Sequence, residues 1–71
     1  MRAKHWNYRV VSHQGYLAIH EVYYELGKPV ARTLNPIDVS GESIESLRQT
    51  LTLMQKALGE PILEDSDFLS L

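Results

Sequence analysis

The chain changes character at Asn35-Pro36, and this change constrains the fold more than any other feature of the sequence. All four Tyr and the single Trp lie before it, in stretches that also contain Val and Ile. Aromatic and β-branched residues favour strands, and proline cannot donate to a β ladder. Beyond Pro36, apolar residues recur at the spacing of a helix. We therefore expect strands in the first half of the chain and a helix in the second.

Three segments before Pro36 are predicted to be strands, over about residues 5–12, 16–25 and 29–35. Gly15 follows the first segment, and Leu26-Gly27 separates the second from the third. Glycine adopts the positive φ that tight turns require. Because the connections are this short, the three strands are expected to form an antiparallel meander.

The side-chain pattern predicts which residues share a face of this sheet. With the first turn at His13-Gln14, Val11 lies opposite Tyr16, and a turn at Leu26-Gly27 sets Glu21 opposite Arg32 as an ion pair. One face, which we call the helix face, then carries Trp6, Tyr8, Val10, Leu17, Ile19 and Tyr23.

One amphipathic helix is predicted over about residues 43–58, with Ser43 as its N-cap and Gly59 and Pro61 after its end. We expect the helix to cover the helix face. The fold class is α+β, a three-stranded antiparallel meander followed by one C-terminal helix packed on one sheet face, in a single domain of residues 1–71. The apolar stripe of the helix consists of Ile44, Leu47, Leu51, Met54 and Leu58.

The segment after the helix carries fewer structural signals. Pro61-Ile-Leu63 is expected to extend along the sheet. Residues 64–71 form an acidic tail in which Phe68 and Leu69 either fray or dock.

The composition excludes several classes of function. The chain has 71 residues, the size of one small domain, and no Cys, so disulfides, thiolate metal sites and Cys nucleophiles are excluded. A net charge of −2 disfavours a dedicated nucleic-acid or membrane-surface binder. No apolar run approaches the ~20 residues that span a bilayer, and the N-terminus has no signal-peptide pattern. We expect a soluble, cytoplasmic protein.

The net charge is unevenly distributed along the chain. Residues 1–35 carry five Lys or Arg and two acids, for a net +3, whereas residues 36–71 carry two and seven, for a net −5. The simplest consequence is attraction between the two halves within one fold.

A single helix can cover only one face of the sheet, so the other face, which we call the far face, is expected to be open. This face keeps more apolar side chains than a solvated sheet usually does. We therefore predict that it binds a protein partner or a second copy of the chain as a homodimer. The predicted interaction face consists of Arg9, Val11, Tyr16, His20, Val22, Tyr24, Ala31 and Thr33.

The remaining polar residues predict no catalytic site, no metal site and no cofactor, so we expect a protein that is not an enzyme. His5 and His20 fall on the far face and His13 at a turn, and their spacing matches no metal-ligand signature. His20 and Glu21 are neighbours on a strand and point to opposite faces, so they cannot act on one substrate atom.

RNA binding is the alternative from a different class. A sheet with basic and aromatic side chains can stack bases and contact phosphates. The acidic helix and tail would repel phosphate, so nucleic acid is the weaker prediction. The residues that would carry it are Arg9, Tyr16, Tyr24, Lys28 and Arg32.

The patterns Trp6-Asn-Tyr-Arg-Val, Ile19-His-Glu-Val-Tyr-Tyr24, Gly41-Glu-Ser43 and Pro61-Ile-Leu63 resemble those of a family of short uncharacterised bacterial proteins. The resemblance covers nearly the whole chain and implies a bacterial source. More distantly, the β-β-β-α order with a helix opening at Gly-Glu-Ser is similar to HicB-type antitoxins, which have a fold related to double-stranded-RNA-binding domains. That similarity is one of topology, and it implies a module that masks a partner toxin and oligomerises.

Overall fold

A computed structural model describes residues 5–68, and it contains one sheet, one α-helix and a short 3-10 turn. The strands are β1 (His5–His13), β2 (Tyr16–Glu25) and β3 (Lys28–Arg32), antiparallel and in the order β1-β2-β3. The helix α1 spans Ile44–Ala57 and packs on the sheet, and the 3-10 turn spans Asp65–Asp67. The predicted α+β fold is confirmed. Leu69, from the predicted tail, lies outside the described residues.

The first hairpin turns one residue later than predicted. Gln14 and Gly15 form the turn, with Gly15 at φ 90°, and His13 pairs with Tyr16. The register consequently differs by two residues from the predicted one, so that Val10 lies opposite Ile19. A shift of two residues leaves every side chain on its own face. The assignment of β1 and β2 residues to the two faces therefore agrees with the structure although the register was wrong.

The second hairpin turns at Leu26-Gly27 as predicted, but a β-bulge between Tyr23 and Tyr24 shifts the pairing with β3. Arg32 lies opposite Val22 instead of Glu21, so the predicted Glu21–Arg32 ion pair was wrong. An extra residue in one strand moves the side chains beyond it to the other face of the sheet. The side chains of Ala31 and Arg32 consequently exchange faces relative to the prediction.

Helix α1 is capped as the sequence indicates. The Ser43 hydroxyl accepts from the Ser46 backbone N–H at 3.1 Å, and the Ser46 hydroxyl accepts from the Ser43 N–H at 3.1 Å. These two bonds satisfy donors that a helix start leaves without partners. No helix within residues 5–68 is long and apolar enough to cross a membrane.

The helix covers less of the sheet than expected. It packs mainly on β1, and its buried side chains are Met54 and Ala57. Ile44, Leu51 and Leu58, which belong to the predicted core stripe, are 71%, 49% and 69% exposed. The expectation that the whole stripe packs on the helix face was therefore wrong.

The far face is covered by the segment that follows the helix. Leu63 pairs with Val11 in a parallel bridge: the Ser12 N–H donates to the Leu63 carbonyl at 2.7 Å, and the Leu63 N–H donates to the Val10 carbonyl at 2.9 Å. Beyond the bridge, the segment joins the far face in one apolar cluster, so the expectation of an open far face was wrong. The cluster consists of Val11, Val22, Tyr24, Leu63 and Phe68.

The charge asymmetry of the sequence contributes to this cover. The Asp65 carboxylate lies 3.1 Å from Nη2 of Arg32, and so joins the 3-10 turn to β3. The basic sheet and the acidic tail thus attract each other within one fold.

Replacing Leu26 with Asn should stabilise the protein by about 1 kcal/mol. Leu26 sits at φ 53° with its side chain fully exposed, and Gly27 at φ 77° completes a turn with two positive φ angles. Asn tolerates this left-handed backbone better than Leu does. Urea unfolding of both proteins measures the change, and an equal or lower midpoint for Leu26→Asn would contradict the strain argument.

Truncating Phe68 should destabilise the protein by about 3–5 kcal/mol, the usual cost of removing a buried aromatic ring. Phe68 is buried under the far face. Leu34→Ala is the matched control because Leu34 is exposed, and it should change stability by less than about 0.5 kcal/mol. Similar unfolding midpoints for Phe68→Ala and the unmodified chain would show that the tail does not cover the sheet in solution.

Candidate interaction surface

The eight residues predicted as an interaction face contribute largely to the protein interior. Tyr16 is exposed, Ala31 and Thr33 are half-buried, and Ala31 lies on the helix face because it pairs with Tyr23 beside the bulge. The far face therefore does not offer these residues as one accessible surface. The buried ones are Arg9, Val11, His20, Val22 and Tyr24.

The same burial bears on the RNA alternative. Arg9 and Tyr24 lie in the interior, and Arg32 is paired with Asp65. Of the five residues on which RNA binding rests, Tyr16 and Lys28 are the exposed ones. The structure does not assemble the basic and aromatic side chains into a platform.

Two histidines of the far face, His13 and His20, form a hydrogen-bonded pair. His20 is fully buried, and its Nε2 lies 2.8 Å from Nε2 of His13, whose ring stacks on Tyr16 at a centroid distance of 4.8 Å. Nδ1 of His20 lies 3.0 Å from the Thr33 carbonyl. Because a carbonyl only accepts, Nδ1 carries the proton of neutral His20, and its Nε2 accepts from His13.

Burial lowers the pKa of His20 below its ordinary value. The charges of Arg32 and His13 act in the same direction, whereas the hydrogen bond to Thr33 and the charge of Asp65 oppose it. A proton on Nε2 of His20 would set two N–H groups against each other across the 2.8 Å contact. His20 therefore belongs to the fold in its neutral form.

No group of three or more metal-ligating side chains occurs within residues 5–68. His20 pairs with His13, while His5 packs against the Tyr24 ring at a centroid distance of 5.4 Å. The sequence analysis placed His13 in the first turn, whereas the structure includes it in β1 and brings it beside His20.

Part of the apolar stripe that was predicted to lie in the core is exposed on helix α1. Ile44, Leu51 and Leu58 are seven residues apart, so they lie within about 40° of one another around the helix. Met54 and Ala57, which pack on the sheet, lie roughly a quarter turn away. The three exposed residues thus form a continuous edge along one flank, which we call the helix ridge.

The helix ridge continues onto the sheet at its C-terminal end. A groove of about 260 Å³ is lined there by Leu58, by Leu17 and Ile19 of β2, and by Ile62. Leu17 and Ile62 are themselves about half exposed. On the other flank, Leu53 borders a second groove of about 430 Å³ beside Trp6 and Tyr8.

The sequence carries no signal that identifies the ridge. The stripe repeats in steps of three and four, which is typical of a helix that buries one apolar face. The same spacing is found whether the sheet covers the whole stripe or only the side of Met54 and Ala57.

Comparison of the chain with protein-family models, with curated proteins and with solved structures finds no match. The function must therefore be argued from the helix ridge and the sheet themselves.

Stability should fall as the pH falls below about 6.5, the ordinary pKa of histidine. The pKa of His20 is lower in the folded chain than in the unfolded chain. Below about pH 6.5 the unfolded chain therefore binds more protons than the folded chain, and the stabilisation that is present above this pH is lost. Urea unfolding between about pH 7.5 and pH 5 measures the trend. His20→Gln should flatten the profile, and His5→Gln should not; a drop that persists in His20→Gln would contradict this assignment.

Proposed function

We propose that this chain is a small, non-enzymatic interaction module of the cytoplasm that pairs with a second copy of itself through the helix ridge. One observation carries the proposal: three large apolar side chains at seven-residue intervals face solvent on a helix whose other flank packs on β1. Exposed apolar surfaces of this kind mark interaction sites in small proteins. The absence of Cys fits a reducing compartment.

The helix ridge is complementary to a copy of itself. Ile44 and Leu58 are each seven residues from Leu51, so two antiparallel helices crossing at Leu51 set Ile44 of each chain against Leu58 of the other. A two-fold axis at Leu51 gives the same contacts to both chains. Few chemically different partners would match this symmetry equally well.

The helix dipole favours the same orientation. An antiparallel pair sets the positive N-terminal end of each helix beside the negative C-terminal end of the other, whereas a parallel pair brings like ends together. Glu45 in the first turn and Lys56 in the last lie more than about 100° from Leu51 around the helix, so they face away from the partner. The dipoles favour the orientation, and the apolar side chains supply the attraction.

The apolar surface available is larger than the three ridge residues. The helix of 14 residues is about 21 Å long. Leu17 and Ile62 continue the surface beside Leu58. Stable interfaces bury about 800 Å² per partner, which is more than three side chains provide. The added surface of Leu17 and Ile62 therefore supports a dimer.

The polar groups support a role other than catalysis. His20, the buried histidine, is held through both ring nitrogens by Thr33 and His13. These hydrogen bonds join β2 to His13 of β1 and to Thr33 after β3. Both ring nitrogens of His20 thus serve the fold, and neither is available for proton transfer to a substrate.

Light scattering at micromolar concentration should report about 16 kDa, twice the 8.1 kDa mass of the chain. Leu51→Lys should give a monomer, because it sets two charges against each other at the two-fold axis. Leu51 is half exposed, so the single chain tolerates the change.

Leu34→Lys is the matched control, since it adds the same charge at an exposed leucine outside the helix ridge. It should leave the mass of about 16 kDa unchanged. A monomeric unmodified chain, or a Leu51→Lys variant that remains dimeric, would overturn the proposal.

A further inference from the structure

The guanidinium of Arg9 is buried, and no carboxylate of residues 5–68 forms an ion pair with it. Arg9 is 9% exposed, and the two ion pairs found within residues 5–68 use other arginines, Arg32 and Arg48. Arginine stays charged inside proteins, and a buried charge is costly unless it is paired. The site therefore favours an anion more strongly than a solvated arginine would.

The partners of Arg9 among residues 5–68 are neutral groups. Its Nη1 donates to the Tyr24 hydroxyl at 2.8 Å, and its Nη2 donates to the Pro61 carbonyl at 2.7 Å. Its Nε is buried, and no group among the described residues accepts from it. A guanidinium has five N–H donors, so these contacts use only part of its capacity.

A groove of about 850 Å³ lies beside this guanidinium, between the start of β1 and the β2–β3 turn. Arg9, Tyr24, Asn7 and His5 line it together with turn residues 25–27. The Tyr24 hydroxyl donates to Oδ1 of Asn7 at 2.8 Å, so a chain of hydrogen bonds connects the guanidinium to exposed Asn7.

The lining of the groove indicates what kind of anion it fits. The exposed Leu26 side chain and the rings of Tyr24 and His5 provide apolar surface. Glu25 also lines the groove, and its charge disfavours ligands with several negative charges. A single carboxylate on an apolar body matches both features, because planar carboxylates suit the guanidinium fork.

We propose that this groove binds an organic monocarboxylate, whose oxygens accept hydrogen bonds from Arg9 and whose apolar part lies against Tyr24 and Leu26. The carboxylate belongs either to a free acid or to the C-terminus of a peptide. This site shares no residue with the helix ridge, so it does not depend on self-association.

Titration with phenylacetate, followed on the side-chain Nε–H resonances of arginine by ¹⁵N NMR, tests the site directly. We expect a saturable shift at Arg9 and none at Arg48, which is exposed and serves as the internal control. Phenylacetamide, which lacks the charge, should produce no shift at Arg9. A shift that does not saturate, or that Arg48 shares, would overturn the proposal.

Asn7→Asp is the discriminating variant because it places a carboxylate on the hydrogen-bond chain while keeping an acceptor for Tyr24. It should weaken phenylacetate binding by about tenfold or more, the equivalent of one lost charge-assisted hydrogen bond. Glu25→Gln should strengthen binding. Arg9 is not substituted, because its hydrogen bond to the Pro61 carbonyl holds the C-terminal segment and its loss would destabilise the fold. Unchanged affinity in Asn7→Asp would count against the site.

A second titration separates the two sources of carboxylate. Acetyl-Gly-Phe with a free C-terminus is compared with its amide. Tighter binding of the peptide acid than of phenylacetate supports recognition of a chain terminus, and tighter binding of phenylacetate supports a free acid. Failure of both acids to shift Arg9 would overturn the proposal, whatever the oligomeric state.

Discussion

The pairing of Leu63 with the outer edge of β1 is the contact on which the rest of the structure depends. Its two backbone hydrogen bonds occupy a strand edge that would otherwise be free to pair with other chains. They also fix the point from which the acidic tail reaches the far face, bringing Phe68 into the apolar cluster and Asp65 to Arg32. One short irregular segment thereby covers the face that further helices cover in α/β domains.

The cover of the helix face is incomplete for a geometric reason. A helix is about 10 Å wide with its side chains, and neighbouring strands are about 4.8 Å apart, so one helix spans about two strands. Helix α1 packs mainly on the edge strand β1, which leaves its own outer flank and part of β2 exposed. The helix ridge results from placing one helix at the edge of a three-stranded sheet.

Sequence reasoning succeeded where the signal is local and periodic. Ser43 was predictable as a cap, and the alternation of side chains assigned Val10 and Val11 to opposite faces even though the register was two residues off. It placed Pro61-Ile-Leu63 along the sheet, in agreement with the Val11–Leu63 bridge. It left open whether Phe68 frays or docks, since an isolated apolar residue in an acidic segment has no period that reveals what it contacts. It failed for Leu51, because a helical stripe predicts a helix without indicating how much of the stripe is buried.

The C-terminal segment also has a consequence for synthesis of the chain. Arg9 and Pro61, which are joined by a hydrogen bond, are 52 positions apart. Leu63 and Phe68 leave the ribosome after the hairpin of β1 and β2, so Val11 and Val22 remain uncovered during that interval. Contacts of such large sequence separation form late, and uncovered apolar strands associate with other chains. A nascent chain whose hairpin has emerged before Leu63 and Phe68 would therefore be prone to aggregation, and chaperone demand should be greatest at that stage.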